Sequence, residues 1–382
     1  MLLVASRIAL VIAVAAVTAS IIYLFWALWA VRAFGRLRPA VGTFTAPVTI
    51  LKPVCGLDPG LYGNLRSFCE QDYPAYQVLF GVRDPNDPAI PVVERVIRDF
   101  PDRDLGLVVD ERVIGTNLKV SNLANMFPRV KHDILIVADS DIRVDRNYLK
   151  AVTAPFADAK VGAVTCLYKG TPVGGLPSIL GSMFMSEWFL PSVLAAITFS
   201  PMRFCFGPTM AVRREALEEI GGFSAFASHI ADDYMLGRLV SECGYSVELS
   251  RYIVENLVLE PDLKTLIRHE MRWARTVRSV QPLGYTFSFL TNAIPLALIL
   301  VLVSGFAPAG WAVLALAVIL RVILHNVVRT SIGIRGAAMP WLVPVRDILS
   351  FVVWGGSFFG RDVQWREQRF LLEADGQLAM KG

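Results

Sequence analysis

Apolar residues fall along the 382-residue chain in two contrasting ways, as long uncharged runs and as short runs separated by amphipathic stretches. Residues 8–31 carry no charge and exceed the roughly 20 residues a helix needs to cross a bilayer. Residues 283–306 are also uncharged and long enough to span. Residues 310–328 qualify too, although Arg321 and His325 within them must face protein or the interface rather than lipid. The last apolar stretch, 339–360, is broken by Pro340, Pro344, Arg346 and Asp347, which predicts a re-entrant or interfacial segment. The resulting layout is an N-terminal anchor over 1–33, a soluble domain over 45–265 and an interfacial helix over 266–282. Two spans over 283–328 and an interfacial or re-entrant segment with a tail over 329–382 complete it. Arg32, Arg36 and Arg38 follow the first run, Arg329 and Arg335 the third, and Arg361, Arg366 and Arg369 mark the tail. By the positive-inside rule all three places are cytoplasmic, which three spans satisfy and four do not.

Between the membrane-length runs, residues 48–259 have the composition of a soluble domain. Short apolar runs at 48–51, 78–82, 105–109, 134–138 and 161–167 alternate with amphipathic stretches near 62–69 and 90–99. Strands alternating with helices predict βαβ units and an α/β, Rossmann-like domain with a mostly parallel central sheet. Ligands of such sheets bind beyond the carboxyl ends of the strands. One segment resists this reading. Residues 176–206 are strongly apolar, with Met183, Phe184, Met185, Trp188, Phe189 and Leu190. Glu187, Pro191 and Pro201 argue against a span, leaving a place in the core or on the membrane surface.

A hydrophobic fraction of 54% with 18% charged residues is too apolar for a purely soluble protein. The net charge of +4 requires no nucleic-acid partner. Arg268, Arg272, Arg275 and Arg278 cluster beside a membrane run, where lipid headgroups or a phosphate account for them as well as ordinary flanking charge does. The five cysteines (Cys55, Cys69, Cys166, Cys205 and Cys243) form no CxxC pair and no zinc spacing. Scattered, odd-numbered thiols suggest a reduced, cytoplasmic domain.

Candidate chemistry lies in one ordered set. Asp139-Ser140-Asp141 directly follows the apolar run 134–138. Two carboxylates sharing a face at a strand end suit Mg2+ or Mn2+, which prefer oxygen ligands and commonly bridge a diphosphate. Asp84, with Asp87 close behind, also ends an apolar run and offers a carboxylate to a nucleotide base or ribose. Asp, Pro and Asn here are equally the residues of a turn. Lys119, after Gly115-Thr116-Asn117, can neutralise a diphosphate oxygen or remain solvated. Asp232-Asp233 precedes a helical pattern, so one carboxylate can act as a general base while its neighbour orients it or caps the helix. His269-Glu270-Met271-Arg272-Trp273 ends the set just before a membrane run. His269, Arg272 and Trp273 share a face at helical spacing. Arginine suits a departing diphosphate and Trp273 an acceptor or sugar, while an interfacial Arg/Trp belt is the simpler alternative.

Together these residues resemble the inverting, family-2-like glycosyltransferases of the GT-A fold, in particular the ceramide glucosyltransferase group and the related hopanoid-biosynthesis-associated enzymes. The resemblance covers roughly 48–278 and the membrane layout. Asp84 matches the family's first aspartate motif, Asp139-Ser140-Asp141 the second and Asp232-Asp233 the third. The stretch with Lys52 and Pro53 resembles the opening nucleotide-side strand, and 115–122 the lysine-bearing donor loop. The closing motif is usually Gln or Arg, two residues, then Arg-Trp; here His269 takes the first place, which departs from the glutamine typical of processive synthases.

The resemblance implies transfer of one hexose, glucose or N-acetylglucosamine, from a UDP-sugar to the hydroxyl of a membrane lipid, ceramide or hopanoid, giving a β-glycolipid. In it Asp233 is the base, Asp139 and Asp141 hold the metal, and Lys52, Pro53, Asp84, Asp87, Lys119 and Asp139 bind the donor. Asp232, His269, Arg272 and Trp273 complete the catalytic set. It also implies a bacterial inner-membrane protein with a cytoplasmic catalytic domain. Transfer to a polyprenyl phosphate or polymer synthesis is the nearest alternative, and a non-catalytic scaffold or transporter a remote one.

Overall fold

The computed structural model describes residues 2–36, 44–365 and 368–380. Arg38 and Arg366, two of the flanking basic residues, lie outside the described residues. The chain divides into two compact units. One comprises Arg38–Val173, Pro201–Leu259 and Arg366–Gly382; the other comprises Met1–Leu37, Gly174–Ser200 and Glu260–Trp365.

The first unit is built on an eight-stranded sheet. Its strands are β1 (Val48–Pro53), β2 (Tyr76–Val82), β3 (Asp104–Val109), β4 (Ile134–Val137), β5 (Ile142–Arg143), β6 (Val161–Pro172), β7 (Met210–Arg213) and β8 (Ser246–Val258). Their spatial order is β3-β2-β1-β4-β7-β6-β8-β5. The block β3-β2-β1-β4 is parallel, as is β6-β8, while β7 and β5 run against their neighbours. Strands β1, β2 and β4 are apolar and buried nearly throughout, as expected of parallel strands covered on both faces. The amphipathic stretches form helices at Leu61–Cys69 and Ile90–Asp99, the latter turning Val93 and Val96 inward. Chain order reverses about β1, with β2 on one side and β4 on the other. The crevice at this switch lies beyond Pro53 and Val137, where Ala138 N donates to Leu51 O at 3.1 Å. Geometry therefore delivers the Asp139 turn to the usual ligand-binding edge.

In the second unit, the helix Leu2–Arg36 runs for 35 residues, about 50 Å at 1.5 Å per residue. The helix Pro308–Ser331 is likewise long and apolar enough to cross a bilayer. Within it, Arg321 and His325 are each 2% exposed and face protein, Arg321 pairing with Asp347 and His325 Nδ1 lying 2.6 Å from Glu187 Oε2. One sequence expectation needs correction here. Residues 283–306 are not one helix: Pro282–Thr291 and Ala293–Val303 meet at a 69° bend. The backbone breaks at Asn292, and Ile294 N at the start of the second piece donates to Asp347 Oδ2 at 2.8 Å. Eleven residues from Ala293 to Val303 cover about 16 Å, half a hydrocarbon core.

Leu176–Ile197 is long and apolar enough to cross a membrane, but the chain enters it from β6 and leaves it toward β7 of the same sheet, so it does not cross and is instead largely buried, as the sequence predicts. Glu187 within it is buried against His325. Pro191 follows the π-helical turn Phe184–Phe189 that interrupts the regular α-helical bonding, and Pro201 lies beyond the helix end. The segment packs against Leu2–Arg36 through Tyr23–Ser192 at 3.0 Å and Trp26–Thr198 at 2.9 Å. The helix Val343–Gly356 has 14 residues, about 21 Å, and buries Arg346 and Asp347.

Candidate active site

The chemistry of the sheet-bearing unit gathers around Gly207. A methyl group built on its backbone would lie 3.3 Å from Asp139 Oδ2, 3.5 Å from Asp233 Oδ2 and 3.9 Å from Lys119 Nζ. Three charged tips from three sequence-distant loops thus converge on one small space that glycine leaves open. Lys119 joins the set, its Nζ 2.7 Å from Asp139 Oδ1 and 3.1 Å from Asp232 Oδ2.

Each member is held by local geometry. Asp139 follows β4. Beneath it the fully buried Lys52 donates to the Asp139 carbonyl and lies over the Phe68 ring at 3.8 Å. Lys52, expected to bind the nucleotide, is enclosed, and its ammonium braces the Asp139 turn. Burial pulls it down to about 7, against the opposing carboxylates of Asp139, Asp141 and Asp58. Asn64 Nδ2 donates to Ser140 O at 3.2 Å, and Ser140 Oγ donates to Asp58. Lys119 rides on the helix Leu118–Met126, capped by Asn117, whose Oδ1 accepts from Val120 N at 3.1 Å. Asn117 Nδ2 also donates to His229 O at 2.8 Å, tying this loop to the approach to Asp232. At Gly115 an added Cβ would sit 2.4 Å from Ala227 O, so only glycine permits the two loops to touch.

Asp232 and Asp233 open the helix Asp232–Glu242, where carboxylates favour the helix dipole. Asp233 accepts from Gly207 N and Tyr234 N, both at 2.8 Å. Burial, then the Asp232 charge, push Asp233 up to about 6, while Lys119 and the two amides hold it down. This is the range of a general base acting near neutral pH. Burial alone would lower Lys119, but the surrounding carboxylates of Asp139, Asp232 and Asp233 outweigh it and keep the ammonium charged.

Asp141 is pushed up to about 7 by burial and by the charges of Asp139 and Asp58, with Asn256 and Lys52 opposing. Asp58, Asp139, Asp141, Asp232 and Asp233 outnumber the two nearby lysines, Lys52 and Lys119, and such an excess of carboxylates fits a divalent cation. Among the described residues no group of three or more His, Cys, Asp or Glu side chains converges to hold a metal. Two carboxylates are nevertheless the usual protein share for Mg2+, which keeps waters and takes the remaining oxygens from a diphosphate.

Asp84 is exposed at the end of β2, and its Oδ1 accepts from Asn86 N at 2.8 Å, the turn that its neighbours suggest. Asp87 is buried and accepts from Gly56 N at 2.9 and 3.0 Å and from Ala89 N at 2.8 Å, so it braces the turn after Pro53. Both stand beside the carboxyl ends of β1 and β2.

His269, Arg272 and Trp273 belong to the other unit, on the helix Leu263–Val280. His269 Nδ1 lies 2.8 Å from Glu260 Oε1. Trp273 stacks on Phe184, centroids 6.3 Å apart, and the Arg272 guanidinium is 5.9 Å from the Trp273 ring. Glu270, between them, is 1% exposed and makes a bidentate pair with Arg346, at 2.6 and 2.7 Å.

A profile of glycosyl transferase family 21 matches residues 11–378, nearly the whole chain. The chain belongs to glycosyl transferase family 21. Curated relatives of this family-21 chain include ceramide glucosyltransferase 3 of Caenorhabditis elegans, 25% identical over 66% of this chain and 55% of that one. Ceramide glucosyltransferase of Candida albicans is 40% identical over a shorter region, 27% of this chain and 21% of that one. The chain thus spans about half, or less, of the length of the curated relatives it matches. Among solved structures, a mannosyltransferase of Pyrobaculum calidifontis in complex with GDP-Man and Mn2+ superposes with a TM-score of 0.61. The two are 20% identical, covering 92% of this chain and 99% of that one, a likeness of fold. The family-21 chain therefore carries the GT-A glycosyltransferase fold expected from its strand pattern and motifs.

Sequence reasoning missed Gly207, Asp58 and Asn64, which carry no motif, and the capping role of Asn117 within the donor loop. It also missed the C-terminal hairpin Gln368–Leu372 with Leu378–Met380. Ile230 N donates to Gly376 O and Leu378 N to Ser228 O, both at 2.9 Å, while Arg238 pairs with Asp375 at 2.9 Å. The tail thereby clamps the segment that leads into Asp232 and Asp233.

Proposed function

We propose that the family-21 chain transfers one hexose, glucose or N-acetylglucosamine, from a UDP-sugar to the hydroxyl of a membrane lipid, ceramide or a hydroxylated hopanoid. The observation that carries this reading is the convergence of Asp139, Asp233 and Lys119 about Gly207 at the carboxyl edge of the sheet. Names of the curated relatives support the lipid acceptor and the sugar.

In the proposed reaction Asp233 takes the proton of the acceptor hydroxyl, whose oxygen attacks the anomeric carbon as the bond to UDP breaks. A single in-line displacement inverts the anomeric centre, so a UDP-α-sugar yields a β-glycolipid. Lys119 offers a fixed positive charge to the departing diphosphate, and Asp139 and Asp141 would hold Mg2+ or Mn2+. The bound ion supplies neutralisation of the diphosphate charge. The family resemblance assigns Arg272 a guanidinium suited to a diphosphate and Trp273 a face for sugar or acceptor. Asp84 and Asp87 belong to the nucleotide side. The basic flanks of the apolar helices and five free thiols support a bacterial inner-membrane protein whose catalytic unit is cytoplasmic.

The test is Asp233→Asn assayed with labelled UDP-sugars and the lipid product identified by mass. The expected result is loss of transfer with donor binding retained. Near-normal turnover by this variant refutes Asp233 as base and favours an already ionised polyprenyl phosphate acceptor.

A further inference from the structure

Two clefts flank the line along which the helices Leu2–Arg36 and Pro308–Ser331 touch. Gly35 makes that contact close, since a Cβ there would lie 2.7 Å from Ser331 Cβ and 3.1 Å from Ser331 O. One cleft, of about 400 Å³, is walled by Phe25, Leu28, Trp29, Ala33, Leu320 and Ile323. The other, of about 410 Å³, is walled by Gly35, Val327, Thr330 and Ser331. Arg32 and Arg36 line both. They stand one helical turn apart, and among the described residues neither forms an ion pair. The site therefore has an apolar wall, a hydroxyl-bearing wall and two guanidiniums at one end. Trp29 and Ile323 leave part of the apolar wall exposed to the surroundings, at 54% and 39%.

We infer that this paired cleft is a binding site for an anionic glycerophospholipid of the bilayer. Its phosphate would sit between Arg32 and Arg36, and an acyl chain would follow Phe25, Leu28, Leu320 and Ile323. Charge complementarity selects the headgroup, because two guanidiniums match a phosphate that carries net negative charge. The apolar wall selects a lipid over a soluble anion. Ceramide and hydroxylated hopanoids carry no anionic headgroup, so the occupant is a stabilising lipid and not the acceptor of the proposed reaction.

Native mass spectrometry of the delipidated full chain tests this, with phosphatidylglycerol, phosphatidylcholine and inorganic phosphate as probes. Phosphatidylglycerol is expected to be retained at one per chain, and phosphatidylcholine is not. Arg32→Gln with Arg36→Gln should weaken it about twenty-five-fold, at about fivefold per arginine. Ala33→Phe, which fills the apolar cleft and keeps both arginines, should weaken it as well. Arg329→Gln removes a basic residue on Pro308–Ser331 that lines neither cleft and should leave binding unchanged. Equal retention of phosphatidylcholine overturns the proposal, as does an Arg329→Gln loss matching the double variant, which would mean diffuse charge. Full binding by Ala33→Phe, or complete competition by inorganic phosphate, overturns it by reducing the site to a phosphate contact.

Discussion

Glu270→Leu isolates what the buried charges of the membrane-side unit contribute. Glu270 and Arg346 are 1% and 0% exposed, and their two parallel hydrogen bonds measure 2.6 and 2.7 Å. Arg346 has further acceptors in Ser350 Oγ, at 3.0 and 3.2 Å, and Leu180 O at 3.3 Å. Those are neutral and leave its charge uncompensated once the carboxylate is gone. Breaking a buried pair from one side costs about 3–5 kcal/mol, whereas replacing both partners with apolar groups of similar volume is often neutral. Glu270→Leu is therefore expected to lose about 3–5 kcal/mol. The double variant Glu270→Leu with Arg346→Met should recover most of that loss. The assay is thermal unfolding in nanodiscs, read against Glu70→Gln, whose pair with Arg66 is exposed. Transfer activity should fall with Glu270→Leu, because the same helix carries His269, Arg272 and Trp273. If Glu270→Leu shifts stability no more than Glu70→Gln, or the double variant is worse than the single, the reasoning is refuted.

The pH–rate profile should show an acidic limb near pH 6: Asp233 is raised to about 6, the carboxylate form is the base, and kcat falls about tenfold per unit below that point. A profile flat from pH 7 to pH 5 would remove Asp233 from that role. Chelation should abolish transfer and added Mg2+ or Mn2+ restore it, with Asp141→Asn requiring more metal for half-activity; full activity in chelator rejects Asp139 and Asp141 as ligands. Deleting residues 374–382 removes the two backbone hydrogen bonds that hold 228 and 230, each worth about 1 kcal/mol. The expected result is a kcat reduced roughly tenfold with donor affinity kept, and unchanged kcat would mean the clamp does not position Asp233.

Much of this was legible from local pattern. The strands β1, β2 and β4 read out as apolar runs because parallel strands are covered on both faces, and the apolar runs of β6 and of the half-buried edge strand β3 were legible too. The helix Ile90–Asp99 was legible because it buries one stripe. Strand β8 was not, since its outward positions carry Glu248, Arg251 and Glu255 and break the apolar run. Strand β7 was not either: its four residues end in Arg213, leaving too short an apolar run to mark a strand. The bend at Asn292 escaped because hydropathy measures the composition of 283–306 and not the continuity of its backbone.

The sequence by itself determined the alternation that builds the sheet, the strand ends at which Asp84 and Asp139 must emerge, and the membrane-length runs. These follow from spacing within a few residues, where hydrophobic burial and backbone geometry act locally. Only the tertiary structure decided which charges meet. Lys119 stands between Asp139 and Asp232, Glu187 meets His325 across 138 residues, and Glu270 meets Arg346 across 76. Such pairs depend on how distant segments pack, and burial makes each one essential because an unpartnered charge cannot remain out of water. Packing also set Lys52 into the floor of the site beneath Asp139, and made Gly207, which no motif marks, the point around which the charged groups gather.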